Sequence, residues 1–314
     1  MFKFALCNNT CGLFVGMYLS SLLVACSVFP KSSQSTEQSQ KNWSINCERW
    51  DDWDKAGPPF RILGNTYYVG TCGIAAVLIT SEEGHILIDG GTEKGADTVI
   101  SNIQTLGFLV EDVKVLLHSH EHFDHVAGLA EIQKQSGALL YASNAAAPVL
   151  ESGISSEQDP QAGMHQPFPS AKVNRIINDG DVVIFSDLKI TAIATPGHTP
   201  GALSWQWQSC ENDFCSMIVY ADSLSAISRD DYYFSDHPEY INNFRGSIEK
   251  LKQINCELII TPHPSASMMH ERLSSSMGLV SQESCSNYFN HISNRLNKRL
   301  EKERQELEQK HLIN

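Results

Sequence analysis

The sequence predicts an α/β fold: an αββα sandwich of two mixed β-sheets flanked by helices. Three observations point to it. Strand-like and helix-like segments alternate along the chain, and both halves do so in the same style. Strands come first with helices interspersed, a pattern that packs sheet on sheet with helices outside. No linker-like stretch interrupts residues 46 to about 310, so this region reads as one domain.

The elements follow in order. Residues 65–70 and 74–80 are short runs rich in Tyr, Val, Ile and Thr, and 85–89 is another, closed by Gly90-Gly91. Residues 95–106 have helical spacing. Residues 113–117 form a buried strand that leads straight into a run of histidines. Residues 126–136 read as helix, 138–142 as strand and 145–152 as helix. Residues 153–174 form a long loop rich in Pro, Gln and Ser, the kind that is often functional. In the second half, 182–185, 189–195, 203–208 and 217–221 are strands. A helix over 240–254, a strand over 258–261 and a terminal helix over 286–309 complete the chain. No fixed-period repeat is present.

Bulk properties bound the function. The 314 residues are 42% hydrophobic and 19% charged, with a net charge of −13. No basic stripe of the kind nucleic-acid binding requires is present. The one dense basic stretch, 295–304, is interleaved with Glu301, Glu303 and Glu306, a solvated helix face. The expected assembly is a monomer.

The start of the chain reads as a leader rather than fold. An apolar run from Leu13 to Ala25 is short for a membrane span. It ends Leu23-Val24-Ala25-Cys26, which resembles the bacterial lipoprotein cleavage box. That resemblance implies a signal peptide over 1–25, Cys26 as the lipid-bearing first residue, and a membrane anchor. The plainer reading is a cleaved signal peptide in which Cys26 is incidental. Residues 26–45 are Ser/Gln-rich and are expected to be a flexible tether, with the domain and its C-terminal helix over 46–314. Localisation in the periplasm of a Gram-negative bacterium, anchored to the outer membrane if Cys26 is acylated, is the expectation.

Six cysteines remain in the domain, Cys47, Cys72, Cys210, Cys215, Cys256 and Cys285. An even number in an exported domain suggests disulfides. Cys210 and Cys215 flank a hairpin-like tip and are expected to pair locally. Cys256 with Cys285 and Cys47 with Cys72 is the preferred arrangement of the rest, among the several that six cysteines admit. None has CxxC spacing, which argues against a structural zinc knuckle.

The chemistry lies in His120-Glu121-His122-Phe123-Asp124-His125. Zinc takes imidazole nitrogen and carboxylate oxygen, and catalytic sites leave a position open. On an extended segment His120 and His122 point the same way. Asp124 and His125 follow where the chain turns into a helix, so one segment offers two ligand sets. His118 shares the strand parity and is a further candidate by position. A single histidine is more often structural, but four with an aspartate in eight residues are not explained by packing. His198, in Thr195-Pro196-Gly197-His198-Thr199-Pro200-Gly201, and His263, in Thr261-Pro262-His263-Pro264, each follow a strand on a loop, where sites are built.

These segments, with Gly64-Asn65-Thr66-Tyr67-Tyr68-Val69-Gly70, Ile86-Leu87-Ile88-Asp89-Gly90-Gly91 and Tyr220-Ala221-Asp222-Ser223-Leu224-Ser225, occur in this order in subclass B3 metallo-β-lactamases. The chain resembles that subclass over residues 46 to 290. The histidine cluster alone identifies only the superfamily; its combination with Asp-Ser-Leu-Ser and Thr-Pro-His-Pro is much more specific to this subclass. The resemblance implies the metallo-β-lactamase fold and two Zn2+. It places His120, His122 and His198 at the first zinc and Asp124, His125 and His263 at the second. His118 falls at a non-ligand position. Other subclasses place a Cys ligand near Ser223, whereas here His125 serves the second zinc. Ser223 and Ser225 resemble contacts to the substrate carboxylate, and Gln161 a substrate-contacting glutamine. Asp89 resembles a buried aspartate that braces the metal loop, and Asp124 has the added role of orienting the attacking water. The implied activity is hydrolysis of the β-lactam amide of penicillins, cephalosporins and carbapenems by zinc-activated water, conferring antibiotic resistance.

Two other readings stay open at this point. A glyoxalase II-like thioesterase or a lactonase of the superfamily bridges its metals with an Asp near Asp222, and a one-residue shift would put Asp222 in that role. A non-catalytic periplasmic zinc-binding protein is the other, although such sites are usually coordinatively closed.

Overall fold

The computed structural model describes residues 35–275 and 278–313; the segment expected to be a signal peptide, and Cys26, lie outside them. A helix, α1 (Thr36–Asn46), precedes the first sheet. That sheet has seven strands, β1 (Phe60–Leu63), β2 (Thr66–Tyr68), β3 (Val77–Ser81), β4 (Gly84–Ile88), β5 (Val113–Leu117), β6 (Leu139–Ser143) and β7 (Val173–Ile177), paired in chain order. The pairs from β1 to β4 are antiparallel and those from β4 to β7 parallel. Parallel neighbours need crossovers. The crossovers carry α2 (Gly95–Thr105), α3 (Phe123–Val126), α4 (Leu129–Ser136) and α5 (Ala147–Ser152).

The second sheet has five strands, β8 (Val182–Phe185), β9 (Leu188–Ala194), β10 (Leu203–Glu211), β11 (Phe214–Tyr220) and β12 (Leu258–Ile260), in the order β12-β11-β10-β9-β8. Its pairs are antiparallel except β11 with β12. The helix α6 (Pro238–Gln253) makes that parallel crossover, and α7 (Met269–Ser274) and α8 (Gln282–Ile313) follow.

Alternation along the strands explains the layers. In β3, Val77 and Ile79 face the space between the sheets while Leu78 faces the helices. In β4, Ile86 and Ile88 face in and Leu87 faces out in the same way. Both faces are covered, so these strands read as continuous apolar runs. Between the sheets lie Phe60, Tyr68 and Ile88 from the first and Ile190, Trp205 and Tyr220 from the second. Val99 and Ile103 of α2 and Leu129 and Ile132 of α4 cover the outer face of the first sheet. Phe244 and Ile248 of α6 and Phe289, Ile292 and Leu296 of α8 cover the second. The αββα sandwich is therefore the observed architecture.

Several local expectations need correction. The tether assigned to 26–45 is helical from Thr36, with Ser35 accepting from the Gln38 N–H at the N-cap. Its Trp43 is fully buried, with ring centroids 6.1 Å from Phe60 and 5.6 Å from Tyr68. The helix predicted over 126–136 is two, α3 and α4, broken at Gly128. A Cβ on Gly128 would sit 2.2 Å from the Gly90 carbonyl oxygen, so the helix pair meets the β4 loop as backbone on backbone. The long loop predicted to reach residue 174 gives way to β7 at Val173, and β1 carries no expectation above; both lie at sheet edges.

The sulfurs of Cys47 and Cys72, Cys210 and Cys215, and Cys256 and Cys285 lie 2.01, 2.00 and 2.01 Å apart, at disulfide distance in the preferred arrangement. Among the described residues no helix is long and apolar enough to cross a membrane.

Candidate metal centre

Strand directions gather the site. β9, β11 and β12 run the same way, so their carboxyl ends share one edge of the second sheet. The loops leaving these ends carry His198, Asp222 to Ser225, and His263. β5 delivers His118 to His122, and α3 starts at Phe123 with His122 as its extended N-cap. The six candidate ligands are thereby brought together, five of them buried and His263 half-buried.

Each imidazole of the first set has its outer nitrogen held by the protein. His120 Nδ1 lies 2.7 Å from Asp222 Oδ1. His122 Nε2 lies 2.8 Å from Asp159 Oδ2. His198 Nδ1 lies 2.8 Å from the Ser225 carbonyl oxygen and 3.1 Å from its hydroxyl. Carboxylate and carbonyl oxygens accept, so the protons are assigned to these nitrogens and the opposite ones are left as bare acceptors. His120 Nε2 is buried with no hydrogen-bond partner among the described residues. The three residues can each offer a ligand atom within 4.8 Å of the others, as can His120, Asp124 and His125. His263 borders the second group, its Nε2 3.4 Å from Asp124 Oδ2 and its ring 4.9 Å from that of His125.

This donor set fits zinc. A buried imidazole nitrogen without a hydrogen bond is costly unless something else meets it. Neither nitrogen of His125 makes an aligned hydrogen bond, although Nε2 is 3.0 Å from Asp124 Oδ2. Burial, reinforced by His122, pushes His198 down to about 3, and burial with His125 pushes His263 to about 4, so both present neutral nitrogen. Burial alone would raise the Asp124 carboxyl, but His125 and His263 hold it well below the usual carboxylate range. Burial alone would lower His122 and His125, but Asp159 raises the first and Asp124 the second, so a cation would displace a proton there and meet neutral nitrogen at His198 and His263.

Buried carboxylates outside the ligand set hold the loops. Asp89 (φ 63°) accepts from the Ser119 N–H and hydroxyl and from Tyr220 Oη, each at 2.7 Å. It therefore braces the strand that leads to His120, in line with the role its motif implies. Glu121 accepts from Thr199 Oγ1 at 2.6 Å and Gly201 N at 2.8 Å, tying the His120–His125 segment to the His198 loop. A Cβ on Gly201 would lie 2.8 Å from that carboxylate and 2.6 Å from Ala146 N, so glycine is required for the clamp to close. Glu121, Asp159 and Tyr288 are functional neighbours that sequence reasoning did not find. Glu121 had a weak signal, a charge between two ligands. Asp159 and Tyr288 had none, because long-range packing alone places them.

His118 stands apart. Its Nε2 accepts from Ser143 N at 3.2 Å, its carbonyl accepts from Trp205 Nε1 at 2.8 Å, and it belongs to neither ligand group. Asp222 braces His120 and likewise belongs to neither group. The serine segment beside it carries Leu224 at φ 41°, a strained conformation for a branched residue. Tyr288 Oη, from α8, lies 2.7 Å from the Asp222 carbonyl oxygen and 3.0 Å from that of Ser223 and fixes this turn. A cleft of about 920 Å³ opens over the cluster, with Gln161, Ser223, Ser225, Trp53, Ile227 and Met268 in its wall.

Comparison with known proteins agrees with this geometry. A family model described as the metallo-β-lactamase superfamily matches residues 69–263. The structure of the MIM-2 metallo-β-lactamase superposes with a TM-score of 0.81 at 54% identity, covering 84% of this chain and 98% of that one. MEM-A1, a subclass B3 metallo-β-lactamase isolated from a soil metagenome library, gives 0.78 at 40% identity, covering 81% and 100%. Among curated proteins, the hydroxyacylglutathione hydrolase GloC of Haemophilus influenzae is 26% identical over 180 residues, 57% of this chain and 79% of its own length. Further curated relatives are matched over 42% to 55% of their lengths.

Proposed function

The chain belongs to the metallo-β-lactamase superfamily, and on that premise we propose that it is a subclass B3 zinc β-lactamase that opens the β-lactam amide of penicillins, cephalosporins and carbapenems. The observation that carries this is the buried cluster of bare imidazole nitrogens around Asp124, on the floor of the cleft, in a chain so similar to solved β-lactamases.

Two zinc ions are the proposed complement, one held by His120, His122 and His198 and the other by Asp124, His125 and His263. When bound, zinc lowers the pKa of a water toward about 7 and polarises a carbonyl oxygen. The chain's own residues supply position and proton acceptance. Asp124, kept ionised, is the acceptor that orients the attacking water. Ser223, whose buried hydroxyl has no hydrogen-bond partner among the described residues, is the donor for the substrate carboxylate. Ser225 lines the same wall while bracing His198, and Gln161 faces the cleft from the loop above.

The thioesterase alternative turns on Asp222, and that residue is engaged with the outer nitrogen of His120. Turnover of a cephalosporin or carbapenem measured beside that of S-lactoylglutathione separates the two. Lactam hydrolysis far faster than thioester hydrolysis is expected; thioester turnover with none on any lactam would overturn the assignment. The leader's apolar run ending at Cys26, with three cysteine pairs at bonding distance, supports export to the periplasm of a Gram-negative bacterium, disulfide formation there and acylation of Cys26.

A further inference from the structure

We propose that Asp159 is a positioning residue through which metal at His122 docks the loop of residues 153–172, so that loop order and metal affinity support each other. The proposal rests on the reading of His122 as a zinc ligand.

Three observations carry it. Between Ile154 and Ser170, Asp159, Pro160 and Gln161 alone are buried; the rest of the stretch is exposed or half-buried. Between its buried ends, Gly153 and Ala171, the loop therefore has one buried segment, and it lies at the rim of the cleft. Asp159 Oδ2 is 2.8 Å from His122 Nε2, with both side chains buried. The other oxygen, Oδ1, accepts the backbone N–H of Gln161 at 2.8 Å. One carboxylate thus faces a candidate ligand with one oxygen and sets the backbone of a cleft residue with the other. Other ties of this stretch are Arg229 Nη1 to the Asp159 carbonyl at 3.3 Å, Arg229 N to that of Pro160 at 2.9 Å, the His165 ring against Phe123 and His122, and Phe168 packed on the core outside the first sheet; none of these but His165 reaches a candidate ligand.

The coupling follows from imidazole chemistry. With Nδ1 given to a metal, His122 carries its proton on Nε2 and becomes a fixed donor to Asp159. Without metal, Asp159 already favours the proton on Nε2, and metal at Nδ1 excludes the other tautomer altogether. Coordination also draws charge from the ring and strengthens the donor, and outer carboxylates raise ligand basicity in return. Linkage makes the effect reciprocal: whatever stability metal adds to the docked loop, the docked loop adds to metal affinity. Gln161 is then held in place by a filled first site, and a substrate that pulls the loop inward tightens zinc.

Zinc affinity by chelator competition, and amide exchange across residues 154–166 with and without zinc, test this on the full chain. In Asp159→Ala the zinc dissociation constant is expected to rise ~10–100-fold, and the zinc-dependent protection of the loop to disappear. Asp159→Asn keeps an acceptor oxygen and should lose about tenfold or less; it carries the comparison if the alanine variant does not fold. Gln161→Ala leaves the backbone N–H and should leave zinc affinity unchanged. Unchanged zinc affinity in Asp159→Ala, or loop protection by zinc that survives the substitution, would overturn the proposal. These readouts need no turnover, so a wild-type chain that failed to hydrolyse lactams would count against the proposed reaction and leave this coupling standing.

Discussion

Each imidazole of the first ligand set gives one nitrogen to the protein and keeps the other bare, and the residues that enforce this are carboxylates and carbonyls drawn from distant loops. Glu121 serves the same end by joining two ligand-bearing loops rather than touching a ligand's ring. Replacing it with alanine would leave the Thr199 hydroxyl and the Gly201 N–H buried and unpaired. We expect Glu121→Ala to lower stability by roughly 1–3 kcal/mol and Glu121→Gln by less, read from urea unfolding of the zinc-free protein. At this scale the sequence was most informative about ligands, because the spacing of His120, His122, Asp124 and His125 is local. It was silent about Asp159 and Tyr288, whose partners lie 37 and 65 or more positions away. Ser225 lies between these cases: its motif announced a substrate contact, and the structure adds a hydrogen bond to His198.

Elements were legible where both faces of a strand are buried. β3, β4 and β12 read as apolar runs for that reason, and β5 does so after its exposed Lys114. β7 sits at a sheet edge and exposes three consecutive residues, so no alternation marked it. α1 is the sharpest miss. Its Ser/Gln-rich sequence presents one buried residue, Trp43, and no amphipathic face, so composition pointed to a tether. Trp43 nonetheless packs on Phe60 and Tyr68, and the Gln40 amide donates to the Arg61 carbonyl at 2.9 Å, laying the helix across β1. Trp43→Ala is expected to cost about 3–5 kcal/mol, seen as a lowered urea midpoint. An unchanged midpoint would return α1 to the status of a tether.

For the whole molecule, the two sheets divide at the middle of the chain, and the site exists because the division brings ends from both halves together. The first half contributes His120, His122, Asp124 and His125, and the second contributes His198 and His263. The sandwich was readable from the repeated style of the halves; the depth of the cleft was not, since it depends on how the loops of 153–172 and 222–229 and the start of α8 meet over the cluster. This shared site is the place where hydrolysis with zinc is proposed. Metal content and cephalosporin turnover, measured together on the protein as isolated, after exhaustive chelation and after zinc is restored, test it most directly. Two zinc ions per chain are expected, with turnover abolished by stripping and recovered with zinc; full turnover in a zinc-free sample would show that the cluster does not work through metal.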